Sequence, residues 1–586
     1  MKYLNYSFVL FFFVALTSCN LDETPKDSIL PETFFKTSDE MVLYTNQFYK
    51  LEPSAEDLYG EASNLIIDGL VQPTILIGLT RVVPASGGGW SWSMLRHINY
   101  YFQNSNKCSD ATARKENDGL AYFWRAYFYL NKLQMFGPVP WYDEPIASDD
   151  EEMLQKPRDS RDVIFNHIIA DCDSAYAKLP TTTTVYNVSK YAALALKSRA
   201  CLFEGTFRKY HAGDVFNPEN LPYKEILEQC VETSLLLINS NKYQLYTTGT
   251  TPYYSFFTLD NADTSENILA RCYSPNFAHL ASAYALVASK GRAGYTKALV
   301  NSYLMSNGTR FTDKADWQTM SFNDEMKNRD PRLLQTVLGQ AGTYADGKAA
   351  TYKITTTITG YPVKKFVAGS TYSTAAYNDI PIFRIAETYL NYAEAKAELG
   401  TLTQNDLDIS LNKLRDRVKM PHLDMAAANA DPDPFLETKQ YGYINVDKGA
   451  NKGVILEIRR ERSIELVGEG LRFWDLCRWR EGHLCAEPYF GPYIPGPGKY
   501  DMDGDGKIDF VAYTDTKITE KGVTSTKIGT DIQLSNNTSG NIIAFGTVER
   551  SFNENRDYLY PIPTNERTLT KGALTQNPGW DDGLNY

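Results

Sequence analysis

The sequence lacks the motifs by which the common hydrolytic enzymes are recognised. It contains six histidines in 586 residues, and none of them lies in an HExxH zinc motif. It has no GxSxG elbow, and no cysteine stands in a papain-like context. Because no motif assembles a nucleophile or a catalytic zinc site, the sequence favours a binding protein over an enzyme.

Cysteine and positive charge are also in short supply. Only eight cysteines are present, without a CxxC pair, so neither a zinc ribbon nor a dense disulfide framework is expected. One or two disulfides at most are predicted, and their pairing stays open. The formal net charge of −12 argues against binding to nucleic acid or to an anionic membrane surface.

Long apolar runs are missing except near the N-terminus. Residues 8–16 (FVLFFFVAL) follow Met1-Lys2, and this run is too short to span a bilayer but has the length of a signal-peptide core. It ends in Leu16-Thr-Ser-Cys19, which resembles the lipobox of bacterial lipoproteins. We predict a signal peptide over residues 1–18 and a soluble body held at a membrane only through lipid on Cys19. An ordinary secretory signal with a chance cysteine is the alternative.

Two acidic residues, Asp22 and Glu23, stand just after Cys19. They are similar to the export signal of Bacteroidetes lipoproteins that face the cell exterior. We therefore expect an outer-membrane lipoprotein on the outside of the cell.

Helical periodicity dominates the first and last thirds of the chain. Residues 120–136 and 188–204 are predicted to be helices, the second ending at Gly205, and a third helix is predicted to begin at Pro381 and end at Gly400. Small alanines on the inner stripes favour closely packed helix pairs of the tetratricopeptide kind, although no strict 34-residue repeat is present.

Other segments are rich in proline, glycine or β-branched residues, above all 487–550. The sequence therefore predicts a mainly α fold, in which a TPR-like helical-hairpin scaffold carries long loops and a few short β-hairpins. We expect one domain over residues 19–586, with 487–550 as a loop-rich insertion.

Aspartates at alternate positions form the sharpest local motif, DMDGDGKID at 501–509. Their spacing matches much of a calcium-binding loop, with a glycine at the sharp bend. Ala512 stands where the bidentate Glu of a full EF-hand is expected, and a solvated acidic turn is the alternative. We predict a structural Ca²⁺ held by Asp501, Asp503, Asp505, the carbonyl of Lys507, and Asp509.

A run of acids and arginines at 455–480 bears on the question of whether the protein is an enzyme. Glu461 and Glu465 share a helix face, as the two carboxylates of a glycosidase could. Arginines lie within three or four residues of each acid, so ion pairing explains them better. An arginine beside a carboxyl lowers its pKa, which is the wrong direction for a general acid.

Aromatic side chains are plentiful, at 13% of the chain, and suit sugar stacking or wet interfaces. Trp90 and Trp92 follow three glycines, and Arg96 and Asn99 come soon after with groups that hydrogen-bond hydroxyls. Trp317 lies in a loop-like stretch where an isolated indole either packs or binds. We predict a ligand site from these residues, with a buried tryptophan at a helix start as the alternative.

Several segments together resemble the SusD/RagB family of nutrient-binding lipoproteins of Bacteroidetes. They occur in order along essentially the whole chain: RAYFYL at 125–130, FGPVP at 136–140, NRDPR at 328–332, PIFRIAETYLNYAEA at 381–395, ERSIELVGEG at 461–470, RFWDL at 472–476, YPIP at 560–563 and NPGW at 577–580.

The resemblance implies a non-catalytic lid on a TonB-dependent outer-membrane transporter of the SusC type, to which it delivers captured oligosaccharide. It also implies an arc of aromatic residues at the binding face, which would place Tyr295 and Trp317 beside the N-terminal tryptophans. A peptide-binding lid is the first alternative. A surface glycoside hydrolase with an arginine-free pair of carboxylates in a cleft is the second.

The predicted lipobox yields a direct test. Replacing Cys19 with Ser removes the sulfur that receives the diacylglyceryl group, so the protein should no longer incorporate labelled palmitate and should leave the membrane fraction. A variant with Ser18 changed to Ala keeps a small residue before the cysteine and should still be lipidated. Equal palmitate incorporation by the Cys19→Ser variant would rule out the lipoprotein prediction.

Overall fold

A computed structural model of the protein describes residues 34–58, 65–66, 81–339, 342–350 and 352–585. The predicted signal peptide, Cys19, Asp22 and Glu23 lie outside the described residues. No helix in the described part is long and apolar enough to cross a bilayer.

The fold is mainly α-helical, as the sequence predicts. Its helices are α1 Ser38–Thr45, α2 Ala55–Leu58, α3 Ser93–Asn104, α4 Ala111–Phe136, α5 Glu151–Leu154, α6 Arg161–Lys178, α7 Lys190–Tyr210, α8 Lys224–Asn239, α9 Pro252–Phe256, α10 Ala281–Leu286, α11 Lys297–Ser302, α12 Phe322–Glu325, α13 Leu333–Thr336, α14 Ile385–Glu398, α15 Gln404–Asp408, α16 Leu411–Arg417, α17 Met425–Ala430, α18 Lys452–Glu465, α19 Arg472–Arg478 and α20 Thr564–Leu569.

The long helices pack as successive neighbours. Helix α4 packs on α6, α6 on α7, α7 on α8, α8 on α14, and α14 on α18. Buried alanines such as Ala193 on α7 and Ala393 on α14 keep these helices close, because a small side chain lets two helix axes approach. The predicted scaffold of helical hairpins is thus confirmed.

Local capping explains where two of these helices begin. The Asp110 carboxylate accepts hydrogen bonds from the backbone of Thr112 and Ala113 at the start of α4, and Ser189 caps α7 in the same way. The predicted end of α7 at Gly205 is wrong, because the helix continues to Tyr210. A Cβ on Gly205 would lie 2.6 Å from Leu227 Cδ2 of α8, so this glycine permits close helix packing and does not terminate the helix.

Short strands occupy the loops between helices. They are β1 Leu65–Ile66, β2 Asn267–Arg271, β3 Gly294–Tyr295, β4 Gly342–Thr343, β5 Ala349–Ala350, β6 Tyr361–Pro362, β7 Ile380–Arg384, β8 Tyr489–Ile494, β9 Gly498–Tyr500, β10 Phe510–Tyr513, β11 Ser525–Lys527 and β12 Gly540–Ala544. Strands β1, β3 and β6 form one sheet, and β9, β10 and β11 form another. The pairs β2–β7, β4–β5 and β8–β12 are two-stranded and antiparallel.

The predicted helix start at Pro381 is also wrong. Ile380–Arg384 is a strand whose Pro381 pairs with Ala270 of β2, and helix α14 begins only at Ile385. All five residues of this strand are buried. Proline fits either a helix start or an edge strand, and here the tertiary pairing with β2 decides between them.

The C-terminal segment returns to the N-terminal helices. The backbone of Tyr560 donates a hydrogen bond to the Met135 carbonyl, and the Asn577 amide donates to the Phe136 carbonyl at the end of α4. Thr564, at the start of α20, donates from its backbone to the Pro84 carbonyl. The C-terminal segment therefore lies at the C-terminal end of α4, more than 400 residues away along the chain.

A network of buried charges joins the segments around α18. Glu465 lies 2.8 Å from Arg384 at the end of β7, 2.6 Å from Arg417 of α16, and 3.1 Å from Arg332, which precedes α13. Glu461 pairs with Arg332 and with Arg415. Ion pairing of these acids is confirmed, but their partners come from other segments and not from the same helix.

The environment of Glu465 excludes it as a general acid. Burial raises the pKa of its carboxyl, but Arg417, Arg384 and Arg332 outweigh this effect and hold the pKa below its usual value. The carboxylate therefore stays charged and serves to hold four segments together.

Replacing Glu465 with Gln should strongly destabilise the protein. The substitution leaves three buried guanidinium groups short of negative charge, which costs about 3–5 kcal/mol when a buried pair is broken. Urea unfolding measures the free energy of unfolding directly. The matched control is Lys327→Ala, which removes the exposed pair with Asp324 and should cost about 1 kcal/mol at most. Similar losses in the two variants would contradict a structural role for the network.

Candidate functional site

A cleft of about 470 Å³ opens between the first turns of α3, the loop after α4 and the C-terminal helix α20. Four of the residues predicted to bind ligand, Trp90, Trp92, Arg96 and Asn99, line this cleft together. Its other walls include Pro140, Tyr142, Glu144, Ile146, Leu154, Glu566, Thr570 and Leu574. The cleft thus combines aromatic and aliphatic surface with a few polar groups, as small-ligand sites commonly do.

The two tryptophans have different roles. Trp90 is 7% exposed, and its ring packs edge-on against Trp92, at 5.3 Å, and against Phe136, at 4.8 Å. Trp92 is partly exposed, and Tyr142 meets its ring at 5.7 Å and 82°. A platform of two exposed indoles is therefore not formed: Trp92 offers its ring to the cleft, and Trp90 supports it from the core.

Asn99 and Arg96 connect α3 to the opposite wall. The Asn99 amide donates to the carbonyls of Tyr142, at 2.9 Å, and Glu144, at 3.3 Å, while Arg96 donates to the Ile146 carbonyl at 2.7 Å. Asn99 is buried, and its Oδ1 has no hydrogen-bond donor among the described residues. A buried acceptor without a donor costs free energy.

The other two predicted ligand residues lie elsewhere. Tyr295 is 1% exposed and belongs to strand β3 within a core cluster, so the expectation that it stacks on a ligand is wrong for this structure. Trp317 lines a separate cleft of about 340 Å³, where it packs edge-on against Phe435 and Tyr441. The arc of aromatics implied by the resemblance is therefore divided between two clefts and the core.

The aspartate loop joins β9 to β10 and brings three carboxylates together. Asp501, Asp503 and Asp509 each offer an oxygen within 4.8 Å of the others. Asp505 instead pairs with the Lys507 ammonium at 2.6 Å, so the structure groups three of the five predicted ligands. Burial together with Asp505 and Asp501 raises the pKa of Asp503, and a divalent cation would relieve this crowding of negative charge.

Comparison with models of protein families assigns the chain to a family. Residues 255–580 match the model of the SusD family, more than half of the sequence. The chain belongs to the SusD family. In addition, residues 93–202, which contain α3 and α4, match a model described as "Starch-binding associating with outer membrane". The predicted family is confirmed.

Individual relatives agree with this assignment. SusD-like protein P38 of Formosa agariphila is 25% identical over 508 residues, covering 81% of this chain and 91% of the relative. A SusD-like protein from Bacteroides fragilis superposes with a TM-score of 0.68 at 20% identity, over 95% of this chain and all of that one. A SusD-like carbohydrate binding protein from the same species gives 0.68 at 19% identity, over 92% and 99%.

Together the family models and the curated relatives support a SusD-like protein, and the description of the second model associates its family with the outer membrane. The solved structures, at such low identity, establish the fold and not the ligand.

For several residues that line the cleft, the sequence gives no indication that they belong to it. Glu566, Thr570 and Leu574 are more than 400 residues from Trp92 along the chain, and only the return of the C-terminal segment brings them into the cleft. Tyr142 and Glu144 follow FGPVP, a segment that identifies the family but does not predict contact with α3.

Proposed function

We propose that this SusD-family protein is a non-catalytic binder of oligosaccharides at the cell surface, which passes its ligand to a SusC-like TonB-dependent transporter. Lipid on Cys19 would hold it at the outer face of the outer membrane. The observation that carries the proposal is the cleft in which Trp92 and Asn99 lie on one wall.

The chemistry of the cleft suits a sugar. Trp92 is partly exposed and lines the cleft, so its indole can stack on the C–H face of a pyranose ring, and each such contact contributes on the order of 1 kcal/mol. Arg96 is exposed and lines the same cleft, so its guanidinium can donate a hydrogen bond to a hydroxyl, which a sugar offers at almost every carbon. Contacts of this strength give weak binding at one site, and weak binding suits a protein that must release its ligand to a transporter.

A glycan array followed by calorimetry on the best oligosaccharide tests the site. The Trp92→Ala variant should bind that oligosaccharide about tenfold more weakly, because it loses the stacking surface. Trp317→Ala is the matched control, since it removes an indole from the second cleft and should leave affinity unchanged. Loss of binding in the Trp317 variant alone would move the site to the second cleft. Binding of peptides without any glycan would replace the sugar proposal by a peptide-binding lid.

The hydrolase alternative has one specific observation in its favour. Glu144 and Glu566 both line the cleft, and neither forms an ion pair with a residue that the structure describes. We expect no turnover, so the bound oligosaccharide should be recovered intact by mass spectrometry after prolonged incubation. Cleavage that disappears in the Glu144→Gln and Glu566→Gln variants would show that the protein is an enzyme.

We also propose that the aspartate loop holds a structural Ca²⁺ between Asp501, Asp503 and Asp509. Hard oxygen ligands in a glycine-containing loop favour this ion, and occupancy would fix the connection between β9 and β10. The loop lies beside α12, where Gly504 approaches the Asn323 side chain.

Calcium should therefore raise the melting temperature. A free concentration 100 times the Kd stabilises the folded state by about 2.7 kcal/mol, and a chelator should reverse the shift. The Asp503→Asn variant should lose most of the response, whereas Asp515→Asn, at an exposed position outside the group of three, should retain it. No calcium response in the unmodified protein would leave residues 501–509 as an acidic turn.

A further inference from the structure

Three lysines are buried in the part of the chain that the structure describes, and one of them stands apart. Lys297 lies 3.1 Å from Glu325 and Lys365 lies 2.7 Å from Glu469. Lys132, on α4, is only 5% exposed and has no carboxylate within ion-pair distance among the described residues. A buried ammonium without a counterion is costly, so its position needs an explanation.

Aromatic rings and one carbonyl surround the Lys132 ammonium. Its Nζ donates a hydrogen bond to the Gly89 carbonyl. The same atom lies 5.4 Å from the ring centroid of Trp92, 5.0 Å from that of Phe128 and 5.7 Å from that of Phe136. These distances are within the range of cation–π attraction, which is strongest for tryptophan. The ammonium therefore contacts both the indole that lines the cleft and the backbone that precedes it.

The Gly89 backbone leads directly into the tryptophans. Gly87, Gly88 and Gly89 all have positive φ angles, and Trp90 donates from its backbone to the Gly87 carbonyl, which closes a tight turn. A Cβ on Gly89 would lie 2.4 Å from Met135 Cε of α4, so the turn passes close against that helix. Three glycines leave this turn free to adopt other conformations, and the hydrogen bond from Lys132 is a contact that restricts it.

We propose that Lys132 is a positioning residue of the cleft, whose buried ammonium fixes the turn over residues 87–89 and the orientation of the Trp92 indole from the core side. The part played in ligand binding rests on the proposed function, whereas the orientation of Trp92 is a property of the protein alone. Lys132 does not line the cleft, so it acts on a ligand only through Trp92.

The loss of the proton from Lys132 with rising pH gives a way to measure its effect on Trp92. Burial lowers the pKa of its ammonium to about 8, so it loses its proton in an accessible range. Arg96, Glu144, Glu566 and Tyr142 also face the cleft. Burial raises the pKa of Tyr142 to about 12, so this phenol stays neutral near pH 8.

Fluorine NMR on protein labelled with 5-fluorotryptophan reports the position of Trp92 without any ligand. The eight tryptophans give separate resonances, and the one missing from the Trp92→Phe variant belongs to Trp92. In the unmodified protein this resonance should shift with a midpoint near pH 8. In Lys132→Met, which has a side chain of similar length without charge, the resonance should be displaced and broadened at pH 7, and the titration should disappear.

Two further variants separate positioning from a general effect of charge. Lys132→Arg keeps a donor and a cation, so its Trp92 resonance should return towards the original position at pH 7 but should not titrate near pH 8. Lys156→Met removes a lysine whose Nζ lies 5.8 Å from the Tyr142 ring on the other side of the cleft, and it should keep the titration. An unchanged Trp92 resonance in Lys132→Met, or a titration that persists there, would overturn the proposal.

The same variants are then tested with the oligosaccharide selected on the glycan array. Lys132→Met should weaken its binding about tenfold, comparable to loss of the stacking contact itself, and Lys132→Arg should restore most of the affinity. If Lys132→Met does not fold, the pH titration of the unmodified protein and the Lys132→Arg spectrum decide the matter. If no glycan binds at all, the proposed function fails while the fluorine spectra still test the positioning role.

Discussion

The fold depends first on the need to neutralise charge in its interior. Glu465 stands at the end of α18 with its carboxylate fully enclosed, and Arg332, Arg384 and Arg417 reach it from three other segments. Because an unmatched charge at this depth costs several kcal/mol, these segments can occupy only the arrangement that brings all the partners together. The helical hairpins on one side and the β-containing loops on the other are therefore held in one fixed relation.

The walls of the cleft are also held in a fixed arrangement. Its walls are helices and short loops tied together by hydrogen bonds from Asn99 and Arg96, and the long helix α4 supports it from the core. A side chain on a rigid element loses little conformational entropy when it meets a ligand. Trp92 can therefore present one face of its ring in a defined direction, although the turn before it consists of glycines.

Features set by neighbours in the sequence were predictable, and features set by distant contacts were not. Residues 120–136 of helix α4 were predictable from their periodicity and from the breakers that follow, whereas its first nine residues were not. The membership of Trp92 and Asn99 in one site was predictable from their spacing. The predicted helix start at Pro381 is wrong because local propensity does not reveal that this segment pairs with β2 as a strand. The sequence predicts a helix end at Gly205, whereas close packing against α8 explains this glycine. The burial of Tyr295 likewise depends on a core that no short stretch of sequence reveals.

The return of the C-terminal segment to α4 has a consequence for how the protein matures. One wall of the cleft comes from residues near 93–104 and another from α20, at residues 564–569, so more than 400 residues separate them. Contacts between these segments cannot form until the C-terminal segment has been synthesised. The cleft therefore lacks its α20 wall until that segment has docked. Completion of the polypeptide is thus a condition for completion of the cleft.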